Sequence, residues 1–476
     1  MNKTIKINYF ILFVILFFII TCNIYYYDDV FRSYWGYYGW SEDGRPFADL
    51  FYKSFIFFRS ESIPDIYPLP LVLTSVLLVI SLTKALQNIL SKDGVIVNIT
   101  FAIFMLNPFL LSNMLFRYDG AFMILSIALS AIPFIFTKSR TFAISSLLCL
   151  TISLGLYQAS INVYIGLASV VVAMEALKGE KFTSIASRVL LSVTCVVSSY
   201  IIYSKLILES LSLNNNFSKY IQIVELNKGG VINVYENIIN AVRKIDVALH
   251  SGIGVPLYIF LSIIAISSVF FAIKRKKFQL LFFIAISIFG CFFSSFGVSV
   301  FGKSPVFVSR IFIGFGVFIM ALPLIGSVIL NWRINYLLSL FIAIPMLSIF
   351  FATINASREE FKFQNNLSLQ MINDINNSKA KYLDFIVIDG YAKNSSVASI
   401  NKKIFPVISD ILPPIFTNRY DGGVFTLMRN GLKDVVSAEP SAADKAVSIS
   451  DNGNLISDNN IYSIHATKDI IVIKLK

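Results

Sequence analysis

The chain of 476 residues is 56% hydrophobic and only 14% charged, with a mean hydropathy of +0.72. A water-soluble domain needs roughly a quarter of its residues charged to cover its surface, so a soluble globule is excluded and lipid is the solvent for most of this chain. The net charge of +12 gives no reason to expect nucleic acid: residues 355–476 carry 14 Lys/Arg against 13 Asp/Glu, and the surplus sits in the apolar part.

Taken in chain order, the first apolar run (7–24) follows Lys3 and Lys6, lacks a small-residue cleavage site and ends in Tyr25-Tyr26-Tyr27. It reads as an uncleaved span closed by an aromatic belt. Further stretches able to cross about 30 Å of hydrocarbon fall near 68–83, 94–113, 121–137, 141–157, 159–177, 187–207, 252–273, 278–300, 310–330 and 335–354. About eleven spans are expected, placing the two termini on opposite sides. Basic residues occupy alternate connections: Lys84 and Lys92, Lys138 and Arg140, Lys178, Lys181 and Arg188, then Lys274-Arg275-Lys276-Lys277 and Arg333. By the positive-inside rule these are cytoplasmic. Loops 25–67 and 208–250 and the tail then face the periplasm of a bacterial inner membrane. In 208–250, Ile221, Val224 and Leu226, and then Val234, Ile238 and Val242, suggest short amphipathic helices. The expected units are a transmembrane domain, 1–354, and a periplasmic α+β domain, 355–476. The tail should hold strands at 385–388, 424–428 and 470–473 and a helix near 359–378.

Four cysteines lie inside apolar runs without a disulfide or zinc spacing, the two histidines are far apart, and no Gly-rich phosphate loop occurs. No cofactor or metal is expected. The candidate chemistry lies instead in the outer connections. Asp28 and Asp29 stand together at a membrane surface, where carboxylates are costly unless paired or solvated. Either is a candidate general base with Arg32 nearby; a polar stop at a span end accounts for the same pair. Trp40, Glu42, Asp43 and Arg45 follow among glycines and tyrosines, a composition suited to sugar, whose C–H face stacks on flat rings while acids and Arg bond its hydroxyls. An interfacial aromatic belt with an Asp43-Gly44 turn is the plainer alternative. Arg117 and Asp119 occupy a connection of a few residues, where Asp119 would also suit a helix N-terminus. Tyr157 and Gln158 close another span, Gln158 also being suited to joining helices. Lys303 and Arg310 run against the charge bias in a short outer loop. They could hold a lipid phosphate or anchor the loop. A periplasmic reaction lacks nucleotide sugars, so an activated sugar must arrive on a lipid, and its phosphate leaving group needs cations.

With these residues assembled, the chain resembles the phage-encoded serotype-converting O-antigen glucosyltransferases of enteric bacteria, a Gtr branch of the GT-C superfamily. The likeness rests on Asp28-Asp29, Arg32, Gly39-Trp40 with Gly44-Arg45-Pro46, Phe116-Arg117-Tyr118-Asp119 and Tyr157-Gln158. The motifs cover the first third of the chain, and size and layout match throughout. The resemblance implies an all-α polytopic membrane fold of GT-C type carrying a small α+β tail. It also implies undecaprenyl-phosphate-glucose as donor, lipid-linked O-antigen repeat units as acceptor, and an inverting, metal-independent displacement with a first-loop carboxylate as base. Separate partners would make and flip the donor lipid. A GT-C transferase for another lipid-linked sugar or acceptor, and a glycolipid flippase or transporter, are the alternatives. A transporter would show inverted repeats and charges at mid-membrane depth.

Overall fold

A computed structural model describes residues 3–91, 93–214, 222–225, 227–418, 421–433, 435–467 and 469–476. Apolar helices occupy every stretch expected to cross the membrane: α1 (Lys3–Cys22), α4 (Leu69–Leu90), α5 (Val95–Met105) with α6 (Pro108–Met114), α7 (Gly120–Ala131), α8 (Ser139–Leu156), α9 (Ile161–Lys178), α10 (Phe182–Ile202), α12 (Gly254–Arg275), α13 (Gln279–Ser294), α14 (Gly314–Ile329) and α15 (Trp332–Asn376). Two short helices of the first loop, α2 (Asp29–Trp35) and α3 (Pro46–Phe55), and the helix α11 (Lys228–Ala248) complete this part. Among the described residues, seven helical segments are long and apolar enough to span a bilayer, or eight with the bent pair α5–α6. The segments at 120–135, 279–294 and 314–329 are shorter. The described residues thus give seven or eight full-length spans with three shorter apolar helices beside them, and the expected figure of about eleven spans is not confirmed. The chain is a helical membrane protein.

The expected span 94–113 is broken by 66°. Pro108 cannot donate to a helix continuing from α5; Asn107 instead caps α6 by accepting from the Phe109 amide at 3.2 Å, and its own amide reaches the Ile313 carbonyl at 3.2 Å. The bend delivers the chain into the 115–119 connection. Helix α14 is buried continuously from Gly314 to Gly326, as expected of an apolar helix at the centre of a bundle.

Basic connections meet at one end of the bundle: the Lys178 ammonium reaches the Ile89 carbonyl (2.8 Å), Arg188 reaches Thr137 (3.5 Å) and Arg275 reaches Leu177 (3.4 Å). Lys92, assigned to the same group, lies outside the described residues. The first loop, the 115–119 connection and the loop before α14 meet at the other end. Within 208–250, Ile221 and Leu226 also lie outside the described residues. Val224 is extended rather than helical, its amide bonded to the Phe301 carbonyl. Val234, Ile238 and Val242 lie in helix α11 as expected; its most buried residues are Gly230, Asn237, Ala241, Ile245 and Ala248, with Ile238 packed beside them and Val242 exposed.

In the tail, the expected helix near 359–378 is not separate. α15 is one helix of 45 residues, joining membrane part and tail without a linker. The sheet has the order β2 (Val436–Ser437), β1 (Phe385–Asp389), β5 (Ile470–Leu475), β4 (Tyr462–Ala466), β3 (Asn454–Asp458), with β1 parallel to β2 and β5 and the remaining pairs antiparallel. Strands at 385–388 and 470–473 occur as expected. Helices α18 (Asp421–Arg429) and α19 (Pro440–Ile449) pack on the sheet, while α16 (Ser396–Ile404) and α17 (Val407–Ile411) pack against α15 and the membrane part. The expected strand at 424–428 is helix α18. Val424, Leu427 and Met428 share a buried helical face at i, i+3 and i+4, and Gly423 lets that helix approach the sheet, where a Cβ would stand 2.6 Å from Ile388 Cδ1.

Candidate active site

The adjacent acids part company at the start of α2. Successive helical residues point about 100° apart, so one faces the protein and the other does not. Asp29 is buried. One oxygen accepts from the Tyr26 amide at 2.9 Å and the Arg117 amide at 2.7 Å, the other from the Tyr118 amide at 3.1 Å. Burial pushes its carboxyl up to about 8, and the three amide donors oppose that rise. The carboxyl thus fastens the start of the first loop to the 115–118 connection. The Asp28 side chain is 34% exposed and pairs with the Arg310 guanidinium at 3.0 Å. Arg310 rests on the Phe116 ring at 5.0 Å, and its carbonyl accepts from the Tyr157 hydroxyl (2.8 Å) and Asn113 (3.0 Å). Residues 282 positions apart thereby form one partly open ion pair.

Behind this pair stands a buried charge network centred on Asp119. Its carboxylate accepts from Trp40 Nε1 at 3.0 Å and lies 3.3 Å from Arg32 Nε and 3.7 Å from an Arg45 guanidinium nitrogen. Arg32 also donates to the Tyr37 and Tyr38 carbonyls and covers the Trp40 ring at 3.9 Å. Arg45 faces the Tyr157 ring at 5.4 Å. Two cations around one buried carboxylate meet the requirement that interior charge be paired.

Trp40 is fully buried and stacked on Tyr52 at 5.0 Å. Its expected part as a sugar platform is therefore corrected: the ring is enclosed by protein, because Asp49 accepts from the Trp40 and Ser41 amides and holds the turn inward. Gly44, at φ +70°, allows that turn, and the Arg45 amide closes it on the Trp40 carbonyl at 2.8 Å. Gln158 and Tyr203 both bond the Gly44 carbonyl, at 3.2 and 2.7 Å. Exposed rings in the same loop include Tyr34, Trp35, Tyr37, Phe57 and Phe58.

Not every candidate joins the cluster. Asp43 accepts from the Asn214 side chain and the Glu42 carbonyl from the Asn214 amide, tying both residues to the 208–250 loop, while the Glu42 side chain is exposed. The Arg117 guanidinium turns away to Asp65 (2.7 Å) and Asn23 (2.8 Å) and lies between the Tyr25 and Tyr67 rings, 4.7 Å from each. Lys303 is exposed; its amide bonds the Gln222 carbonyl at 2.7 Å, and its ammonium meets no partner among the described residues.

Sequence reasoning missed the tail's share. Tyr26 donates to the Ile411 carbonyl, Arg429 covers the Tyr25 ring at 4.6 Å, and Phe425 packs on Phe31 at 4.6 Å. The tail thus grips the first loop on both sides of Asp28. Nothing in the spacing of these residues signals a contact across some 400 positions.

The family model described as Glucosyl transferase GtrII matches residues 17–322, a span that contains both the Asp28–Arg310 pair and the Asp119 network. A protein of Salmonella phage P22, described as an uncharacterized 55.3 kDa protein in the gtrB 5′ region, is 28% identical over 96% of this chain and 95% of its own length. No solved structure matches.

Proposed function

Because the chain belongs to the glucosyl transferase GtrII family, we propose that it moves glucose from undecaprenyl-phosphate-glucose to lipid-linked O-antigen repeat units on the periplasmic side of the inner membrane, altering serotype. The observation that carries this reading is the Asp28–Arg310 pair: a partly open carboxylate and a guanidinium 3.0 Å apart at a membrane-surface end of the bundle. An acceptor hydroxyl gives its proton to Asp28 as its oxygen attacks the anomeric carbon. The bond from that carbon to the phosphate oxygen breaks on the opposite face, and polyprenyl phosphate departs with the bonding electrons. Arg310 offers the planar fork that suits the departing phosphate, with Lys303 as a second cation in the same loop. Asp29, Arg32, Trp40, Arg45, Asp119, Tyr157 and Gln158 hold the two reacting groups in place. Glu42, Asp43 and Arg117 shape the rim.

The test compares the O-antigen of cells with and without this chain by linkage analysis. A new glucosyl branch that appears only with the chain, and only when cells can make the polyprenyl-phosphate donor, supports the proposal. An unchanged polysaccharide in the presence of folded protein refutes it.

A further inference from the structure

At the end of the bundle away from Asp28, a cavity of about 160 Å³ opens between the end of α4, the end of α9 and the start of α10. Three charged side chains line it, and none is joined to another by an ion pair among the described residues. Lys178 donates to the Ile89 carbonyl and the Ser91 hydroxyl, both at 2.8 Å, which occupies two of its three ammonium hydrogens. Arg188 makes one long bond to the Thr137 carbonyl at 3.5 Å and rests on the Phe142 ring at 4.3 Å. Most of its guanidinium fork is left open. Glu175 Oε2 is buried with no hydrogen-bond partner among the described residues. A buried, unsatisfied carboxylate oxygen is costly.

We infer that this cavity holds the headgroup of a zwitterionic phospholipid of the phosphoethanolamine type. Lys178 and Arg188 present two cations to one phosphate, Arg through its fork and Lys as a point charge. The ammonium of the same headgroup supplies the donor that the orphaned Glu175 oxygen lacks. An anionic headgroup such as phosphatidylglycerol satisfies the two cations but offers Glu175 only a neutral hydroxyl, a weaker donor to a carboxylate than an ammonium. Beside the polar Asn88, Ser91 and Thr137, the residues Ile89, Phe134, Val171 and Met174 line the cavity and give the first acyl carbons an apolar wall. The position, at the ends of spans that carry the chain's basic connections, is where a lipid headgroup stands.

The experiment measures binding of short-chain phosphatidylethanolamine, phosphatidylglycerol and inorganic phosphate to the delipidated full chain in detergent, by native mass spectrometry and by shift of the thermal midpoint. Phosphatidylethanolamine is expected to bind about tenfold more tightly than phosphatidylglycerol, the worth of roughly one charged hydrogen bond. Glu175→Gln should remove that preference and leave phosphatidylglycerol binding unchanged. Arg188→Ala should weaken both lipids about tenfold or more, with Arg188→Lys as the variant to use if the alanine protein is poorly folded. Phosphatidylglycerol binding as tightly as phosphatidylethanolamine, or a preference that survives Glu175→Gln, would overturn the assignment. So would a midpoint shift from inorganic phosphate equal to that from the lipid, which would mark a simple anion site.

Discussion

Replacing Asp29 separates a structural carboxyl from a reacting one. The side chain satisfies three amides that have no other partner among the described residues: Tyr26 and Arg117 on one oxygen, Tyr118 on the other. In Asp29→Asn the amide oxygen can keep the first two, and the new NH2 group faces the Tyr118 N–H, donor against donor. One buried donor left unmade costs about 1–3 kcal/mol. Asp29→Ala abandons all three; the losses share one site and do not add in full, so about 3 kcal/mol or more is expected. The assay is the thermal midpoint of purified protein in detergent, together with its level in membranes. The midpoints should fall in the order wild type, Asn, Ala, and the residual transfer per folded molecule in Asp29→Asn should stay measurable. A wild-type midpoint in Asp29→Asn combined with complete loss of transfer would refute the reasoning and make Asp29 the reacting acid.

Burial raises the Asp29 carboxyl to about 8, so between the unfolded value near 4 and about 8 the folded state binds more protons than the unfolded one. Its contribution to stability is complete below about pH 4 and is lost as pH rises through about 8; the thermal midpoint should decline over that range in wild type and less so in Asp29→Asn. Arg310→Lys keeps the charge and loses the fork, so turnover should fall with donor saturation nearly unchanged. Arg310→Ala should fall further, and Lys303→Ala should show a smaller loss of the same kind. Normal turnover in all three would leave these residues as loop anchors. A C-terminal alkaline phosphatase fusion should be active and a green fluorescent protein fusion dark; the reverse would move Asp28 and its neighbours to the other compartment.

The course of the membrane helices was legible because lipid demands long apolar runs, and the basic connections do gather at one end. Helix length was not legible: Asn107-Pro108 lies within an unbroken apolar stretch, and its cap and 66° bend depend on Ile313, far along the chain. The Asp28-Asp29 pair was visible, but the difference between its members was not, since helical rotation alone turns one inward. Trp40 drew attention as an aromatic beside glycines; its burial follows from Asp49 and Tyr52, which carry no motif. The stretch 424–428 looked like a strand because five apolar or β-prone residues stood together. Gly423 instead serves close packing of a helix on the sheet.

The central claim is that Asp28 takes the acceptor's proton beside Arg310. Its most direct test is glucose transfer from synthetic polyprenyl-phosphate-glucose by purified Asp28→Asn protein, with donor binding and thermal midpoint measured on the same preparation. Loss of a general base predicts a turnover lower by about 10²–10⁴, with donor binding and midpoint close to wild type, because Asp28 is partly open and makes no side-chain cap on α2. Turnover within a fewfold of wild type in folded Asp28→Asn protein would contradict the account.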